Sequence, residues 1–175
     1  DIFIFVFCLC CKSDSFYLFK IFCIFRITLN SIININIHKR CAASQTLAQL
    51  PGIGPITASA LVASIGNAKN FKNGRQLAAW LGLVPRQHSS GGKQNLLGIS
   101  KRGDIYLRTL LIHGARAVLR VAERKESFSG SWLAGVMARR NPNVAAVAQA
   151  NKTARIIWAL LAHDRKYDAH YGMAA

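Results

Sequence analysis

Apolar residues recur at helical spacing through most of the chain that follows Cys41. The pattern predicts one helix over about Ser44 to Gln49 and a second from Pro55 to about Ile65, because proline is favoured in the first turn of a helix. Between them lies Leu50-Pro51-Gly52-Ile53-Gly54, whose proline and glycines favour a tight turn. We therefore predict two helices joined by a hairpin-like turn.

The same periodicity predicts further helices in the rest of the chain. They are expected over about Arg75 to Leu81, Asp104 to Glu123, Gly130 to Arg139 and Asn143 to His163. The tryptophans fall on apolar helical faces, so we expect them in the core; they are Trp80, Trp132 and Trp158. The predicted fold class is all-α, a helical domain that contains a helix-hairpin-helix.

One long stretch, from Gly82 to Gly103, fits neither a helix nor a strand and is rich in glycine. Irregular stretches of this length are often functional, so we predict a long glycine-rich functional loop. It contains a serine pair, Ser89 and Ser90. It also carries cations that suit a phosphodiester: Arg86, Lys93, Lys101 and Arg102.

Arginines recur at multiples of four residues on the predicted helix that starts at Asp104, which places them in one sector of its surface. They are Arg108, Arg116, Arg120 and Arg124. Such a row is either a solvated face or a set of phosphate contacts. The chain has 23 Lys plus Arg against 7 Asp plus Glu, a formal charge of +16, and this excess favours contact with nucleic acid.

The first forty residues differ in composition from the rest, since they contain no Ala, Gly, Pro, Glu or Trp. We interpret residues 1–43 as an atypical, irregular leader of non-native origin, 44–127 as the core, and 128–175 as C-terminal helices. All five cysteines lie at or before Cys41, without zinc-like spacing to a histidine or a second cysteine pair. The apolar runs are shorter than the roughly 20 residues that span a bilayer. The chain begins with Asp1, so we expect a truncated copy.

The turn between the first two helices is a candidate phosphate site. Glycines permit backbone amides to face a phosphate, and the second helix adds the positive end of its dipole. The alternative is a turn that only links two helices. A dinucleotide-binding fingerprint is rejected, because Thr57 stands where a third small residue is required and no strand precedes Gly52.

Ser90-Gly91-Gly92-Lys93 formally matches the S-x-x-K motif of penicillin-binding enzymes, but its glycines disfavour the helix that this motif occupies. It is also not a Walker A loop, because Gln94 follows Lys93. What remains is a loop hydroxyl surrounded by cations. From this chemistry alone, Ser90 is either an inert loop serine or a group that acts on phosphodiesters.

An ordered set of motifs resembles the C-terminal domain of the DEDD transposases, the RNA-guided bridge recombinases of bacterial insertion sequences (insertion sequence 110/116/902 family). The resemblance covers about Leu47 to Tyr171. Its motifs are Leu50 to Pro55, Phe71, Gln76 to Arg86, Ser90 to Lys93, Ile99 to Asp104, and Leu107-Arg108. In that family an N-terminal RuvC-like domain binds magnesium through an Asp-Glu-Asp-Asp set, and the C-terminal domain supplies a serine nucleophile.

The resemblance implies that Ser90 attacks a DNA phosphodiester and gives a phosphoserine-linked strand, with Ser89 as the less suitable alternative. It implies DNA and a guide (bridge) RNA as partners, a homo-oligomeric assembly, no membrane, and a cytoplasmic, nucleoid-associated location in a bacterium. The expected nucleic-acid contacts are Gly52, Ile53, Gly54, Arg86, Lys93, Lys101, Arg102, Arg108, Arg116 and Arg120.

The leader departs from the family pattern, because it is too short for a RuvC-like fold and offers only Asp1 and Asp14 as acids. We therefore expect no metal or cofactor in this chain, with Mg²⁺ confined to the absent domain. The isolated chain is expected to bind nucleic acid without transposing DNA. Two other functions stay open: a non-enzymatic helix-hairpin-helix DNA-binding module, which assigns no role to Ser90, and a membrane-tethered basic protein anchored by the leader.

Overall fold

The computed structural model describes residues 35–124 and 131–168, and most of these residues are helical. In the N-terminal half, α1 spans Ala42–Ala48, α2 Pro55–Ile65 and α3 Gly74–Trp80, with a 3₁₀ turn at Ala68–Asn70 between α2 and α3. Two short strands follow, β1 (Pro85–Gln87) and β2 (Leu96–Ile99), and then α4 (Ile105–Ala122), α5 (Trp132–Arg139) and α6 (Pro142–His163). The helices predicted from the sequence are confirmed to within a few residues at their ends.

Most of the leader, residues 1–34, lies outside the described residues. The prediction that the leader is irregular therefore stays a prediction for residues 1–34. Residues 35–40 are helical, so that prediction is wrong for this part. The segment contacts α1, because His38 Nδ1 lies 2.7 Å from the buried Ser44 Oγ and Gln45 Nε2 donates to the Lys39 carbonyl at 2.7 Å.

Side chains of the preceding residues cap the helices that follow the turns. The Asp104 carboxylate accepts a hydrogen bond from the Leu107 amide at 3.0 Å, and Ser131 Oγ accepts from the Ala134 amide at 3.2 Å. Each such cap satisfies an amide that has no partner within its own helix, and it stabilises the helix by about 1 kcal/mol. These caps determine where α4 and α5 begin.

The main core is formed by leucines of α1 to α4 packed against the small-residue face of α6. The fully buried large side chains include Leu47, Leu61, Leu77, Leu81, Leu107, Leu111 and Ile157. Burial of one such side chain contributes about 1.5–3 kcal/mol. On α6, Ala150 and Ala154 are fully buried and let α3 and α4 approach closely. Trp158 Nε1 donates to the carbonyls of Ala68 and Phe71, each at 3.1 Å, which ties the 3₁₀ turn to α6.

The tryptophans do not all follow the prediction that they lie in the core. Trp158 is partly buried, but Trp80 and Trp132 are 39% and 47% exposed. Beside Trp132, Leu133 of α5 is buried in a small second cluster with Leu119, Ala145 and Ala146, and Val136 and Met137 of the same helix pack against that cluster. The prediction is therefore wrong for Trp80 and Trp132, and Trp132 presents an aromatic surface to solvent.

The stretch predicted to be irregular contains a β-hairpin. Strand β1 pairs with β2 in antiparallel register, Pro85 with Ile99 and Gln87 with Leu96, and the register shift places one extra residue in β2. An isolated bridge between Ser90 and Lys93 closes the tip. We call residues 85–99 the serine hairpin.

Candidate nucleic-acid interface

The tip of the serine hairpin is a two-residue turn. The Lys93 amide donates to the Ser90 carbonyl at 3.1 Å, and the two residues between them, Gly91 and Gly92, have φ of +56° and +77°. Two successive positive φ values are the mark of the type I′ turn, whose twist matches that of antiparallel strands and which strongly favours glycine. A Cβ built on either glycine meets nothing within 4 Å. The tip therefore extends into open space.

The two serines of the hairpin have different environments. Ser89 Oγ accepts hydrogen bonds from Gln87 Nε2 at 3.0 Å and, more weakly, from the Asn95 amide at 3.4 Å. Ser90 is exposed, and within residues 35–124 and 131–168 its hydroxyl has no hydrogen-bond partner. Ser90 thus presents its hydroxyl to solvent at the tip, whereas the Ser89 hydroxyl supports the hairpin.

Exposed cations occur at the tip, in the stem and at the base of the hairpin. Arg86 lies in β1 and Lys93 closes the turn, while Lys101 and Arg102 follow β2; all four are exposed. Exposed leucines of β2 lie beside them, since Leu96 and Leu97 are 61% and 45% exposed. The structure therefore places Ser90, Arg86 and Lys93 on the projecting hairpin and Lys101 and Arg102 at its base.

The hairpin is joined to the core at a narrow neck. A Cβ on Gly103 would overlap the Trp80 carbonyl oxygen and would lie 2.9 Å from the Gly82 amide, so the two ends of the segment touch through their backbones. Lys101 N donates to the Gly82 carbonyl at 3.2 Å. Gly82 itself has φ of +71°, a conformation that favours glycine.

Arg108 closes this neck from the side of α4. Its Nη1 donates to the Leu81 carbonyl at 3.3 Å and to the Gly103 carbonyl at 3.2 Å. The residue is 8% exposed. The expectation that Arg108 belongs to an exposed row of phosphate contacts is therefore wrong: its guanidinium binds backbone carbonyls at the base of the hairpin.

Replacement of Arg108 by methionine is expected to lower the free energy of unfolding by about 1–3 kcal/mol, because two carbonyls at the neck lose their donor. Arg116→Met, at an exposed position of the same helix, is the matched control and should change stability by less than about 0.5 kcal/mol. Urea unfolding followed by circular dichroism measures both. If both variants lose the same free energy of unfolding, the stability of the neck does not depend on the Arg108 guanidinium.

The turn between α1 and α2 packs against α4. Gly52 has φ of +83°, and a Cβ there would meet the Gly114 carbonyl oxygen at 2.7 Å. Ile53 is buried in the core, whereas Gly54 is exposed and precedes Pro55 at the start of α2. Because glycine has no side chain to cap α2, the first amides of that helix have no intrahelical or side-chain acceptor. Of the three residues predicted to contact nucleic acid here, Gly54 lies at an open helix end.

Arg116 and Arg120 are exposed on α4 and meet the start of α6. Arg116 Nη2 donates to Asn143 Oδ1 at 3.2 Å. With Pro142 and Glu123 these residues line an open concavity of about 350 Å³. The predicted pairing of these two arginines on one surface is thus confirmed, and their positive charge lies beside the positive end of the α6 dipole.

A larger groove, which the sequence did not lead us to predict, follows α6 from the stem of the serine hairpin. We call it the α6 groove; it has a volume of about 1720 Å³. Among its lining residues are exposed cations at Arg75, Lys152 and Arg155. The signal available in the sequence was the spacing of Lys152 and Arg155, which puts both on one face of a helix.

Charge in this part of the chain is strongly one-sided. From residue 44 to residue 124 the sequence has 11 Lys plus Arg and 2 Asp plus Glu. One of the two acids, Asp104, caps α4. Such a surface attracts polyanions.

Within the described ranges, no group of three or more His, Cys, Asp or Glu side chains is placed to hold a metal ion. Among the helices of residues 35–124 and 131–168, none has the length and apolar character needed to cross a membrane.

Comparison with known proteins relates these features to a family. Residues 44–129 match the sequence model described as Transposase IS116/IS110/IS902 family. The chain is 61% identical over 126 residues to a probable family 20 transposase of Pseudomonas aeruginosa, covering 72% of this chain and 37% of that protein. It is 54% identical over 123 residues to the transposase for insertion sequence element IS1111A of Coxiella burnetii, covering 70% and 34%. A pilin gene-inverting protein of Moraxella bovis is 39% identical over 62 residues, 34% of this chain and 19% of that protein. The chain thus spans about a third of the length of the first two relatives.

Proposed function

Because this chain belongs to the IS116/IS110/IS902 transposase family, we propose that it binds DNA during insertion-sequence transposition and supplies Ser90 as the nucleophile. The observation that carries the proposal is the serine hairpin, a projecting element whose tip presents the Ser90 hydroxyl among exposed cations. A hydroxyl at an open tip can reach a backbone phosphate that a recessed side chain cannot. The hydrogen bonds of Ser89 favour Ser90 over its neighbour.

The proposed step is a transesterification. Ser90 Oγ attacks the phosphorus, an Oγ–P bond forms, and the bond from phosphorus to the bridging oxygen of the leaving strand breaks. The serine proton passes to solvent and the leaving oxygen takes up a proton, so charge and electrons balance. A hydroxyl at another strand end then attacks the phosphoserine and restores a phosphodiester. One phosphodiester is conserved throughout, so the exchange needs no external energy source.

The hairpin cations have a defined role in this step. Lys93, beside Ser90 at the tip, pairs with the non-bridging oxygens of the attacked phosphate and opposes the charge that develops on them, and Arg86, in the stem, binds a neighbouring phosphate. Arg116 and Arg120 bind phosphates of the same duplex on α4, and the open N-terminus of α2 at Gly54 binds another by its dipole. Contacts of this kind hold a duplex without reading its sequence.

The partners of the whole protein form part of the same proposal. The guide RNA implied by the family is supported here only by the formal charge of +16, which suits any polyanion, and the homo-oligomeric assembly rests on the family resemblance alone. DNA is the partner that the serine hairpin itself supports.

The test of DNA binding uses the full chain and a duplex oligonucleotide at several salt concentrations. The logarithm of the binding constant should fall linearly with the logarithm of the salt concentration, by about 0.9 per phosphate that the protein neutralises. In the Arg86→Gln/Lys93→Gln variant the slope should shrink by about 2, because two phosphates are no longer neutralised. Fluorescence anisotropy measures both.

The control for this prediction removes the same charge elsewhere. Lys69 and Lys72 are exposed and lie outside the serine hairpin and both concave surfaces. Lys69→Gln/Lys72→Gln should leave the slope nearly unchanged. If the slope falls equally in the two double variants, the duplex binds by overall charge and the hairpin has no special part in holding it.

A further inference from the structure

The α6 groove has the chemistry of a binding site for an unpaired strand, and we propose that it binds a single strand of DNA that leads away from the serine hairpin. The inference rests on the proposed function, because the strand is that of the DNA held at Ser90. It adds a second contact surface, formed mainly by Trp132, α6 and the start of α3, to a chain whose expected contacts all lay between Gly52 and Arg120.

The floor and one end of the groove are apolar. Val144 and Trp132 are 51% and 47% exposed, and Val147 and Ala148 are partly buried beside them. A duplex offers phosphates to such a surface but keeps its bases stacked inside. An unpaired strand exposes the faces of its bases, which gain from stacking on an aromatic ring and from burial against apolar side chains. The apolar floor therefore favours a single strand.

The rim of the groove is cationic. Lys152 Nζ lies over one face of the Trp132 ring, 4.6 Å from its centroid, so a base that stacks on this ring either displaces the ammonium group or uses the other face, and in both cases its phosphate lies near that charge. Arg155, one turn further along α6, and Arg75 on α3 extend the rim toward the hairpin. Sites that bind single strands combine two components: cations along the path of the nucleic-acid backbone and an aromatic side chain on which bases stack.

The groove connects the other two basic surfaces. At one end it is lined by Pro85, Leu97 and Ile99 of the hairpin stem. At the other end Asn143 lines both the groove and the concavity of Arg116 and Arg120. A strand can thus pass from the hairpin, along the cationic rim of α6, to the arginines of α4, and this continuity with the hairpin argues that the occupant is a strand of the same DNA.

The test compares binding of the full chain to an oligothymidylate and to a duplex of the same length. Trp132→Ala should weaken binding of the oligothymidylate by about tenfold or more, the scale on which removal of one base–aromatic stack acts, with little change for the duplex. Trp132→Phe should restore most of the affinity. Trp80→Ala is the matched control, because Trp80 is also exposed and lies outside the groove.

The cationic rim is tested independently, so the result does not depend on the fold of the tryptophan variant. Lys152→Gln/Arg155→Gln removes two exposed charges and should weaken oligothymidylate binding more than Lys69→Gln/Lys72→Gln does. An oligouridylate of equal length forms the RNA arm. The proposal is overturned if groove variants and controls lose the same affinity, if the duplex is weakened as much as the single strand, or if only the oligouridylate is weakened.

The outcome also separates this inference from the proposed function. If the groove variants bind like their controls while Arg86→Gln/Lys93→Gln still shows its reduced salt slope, the groove inference fails and the hairpin function stands. If Arg86→Gln/Lys93→Gln has the same salt slope as its control while the groove variants still lose affinity for the oligothymidylate, the proposed DNA contact of the hairpin fails and the groove remains a single-strand site.

Discussion

Replacement of Ser90 by alanine should lower the rate of strand exchange by at least about a thousandfold, the scale on which loss of a nucleophile acts. In the proposed step Ser90 Oγ forms the bond to phosphorus, and water in its place gives no covalent intermediate. DNA binding should change little, because the turn is closed by the backbone hydrogen bond from the Lys93 amide to the Ser90 carbonyl. A large loss of rate with retained affinity is the result that distinguishes a nucleophile from a residue that only binds DNA.

The measurement needs a protein of the length that the relatives have. We would replace the matching 126-residue segment of the Pseudomonas aeruginosa relative with this chain and follow recombination of labelled DNA. On denaturing gels, the parent protein should give a covalent protein–DNA adduct that Ser90→Ala does not.

Ser89→Ala is the matched control, since it removes a neighbouring hydroxyl that accepts hydrogen bonds within the hairpin. It should keep the adduct and most of the rate. If Ser90→Ala exchanges strands as well as the parent does, the chain is better described as a non-enzymatic DNA-binding module. If Ser89→Ala loses the adduct instead, the nucleophile lies one residue earlier.

Gly114→Ala should destabilise the protein by about 1–3 kcal/mol or more, although alanine is the better helix former. A Cβ at Gly114 would overlap the Gly52 carbonyl oxygen. Both groups belong to backbones, one in the middle of α4 and the other in the α1–α2 turn, so neither can move without displacing its element. The unfolding midpoint in urea, followed by circular dichroism, gives the change.

Gly135→Ala provides the comparison, because Gly135 also lies inside a helix but its Cβ would meet nothing within 4 Å. Helix propensity is the main effect at this position, so the free energy of unfolding of the variant should rise by about 0.5–1 kcal/mol. The two substitutions are therefore expected to have opposite signs. If both variants are stabilised, the α1–α2 turn does not pack on α4 as closely as the structure has it.

The helices could be predicted from the sequence because local signals agree with the tertiary structure. Pro55 in the first turn of α2 and the Asp104 cap of α4 act within one turn of the chain, and the apolar periodicity of α6 marks the face that packs on α3 and α4. The sequence also allowed Ser90 and the nearby cations to be proposed as one candidate site, because these residues lie close together along the chain.

The β-hairpin was not predicted, because its strands do not alternate between buried and exposed positions. Residues 85–98 are all exposed, so no buried face imposes a period of two on the sequence. The paired glycines at 91 and 92 were the available sign, because two such residues between short strands are typical of a type I′ turn.

Arg108 and Trp132 were misplaced because their environments depend on parts of the chain far from them in sequence. The spacing of the arginines on α4 places Arg108 with Arg116, but the neck formed by residues near 82 and 103 covers only the first of them. Similarly, Trp132 lies on the apolar side of α5, yet α6 packs on Leu133 and leaves the ring exposed. Periodicity describes one helix and not what packs on it.

The neck between Gly82 and Gly103 makes the serine hairpin a separable cassette. Since the two ends of the segment meet through their backbones, and Leu83, just inside the neck, is buried in the core, the junction stays the same for any residues that replace 85–99. Exchange of the cassette between relatives should transfer reactivity without transferring stability. Under the proposed function, substitutions within residues 85–99 would change the contacts with DNA and leave the helical scaffold as it is.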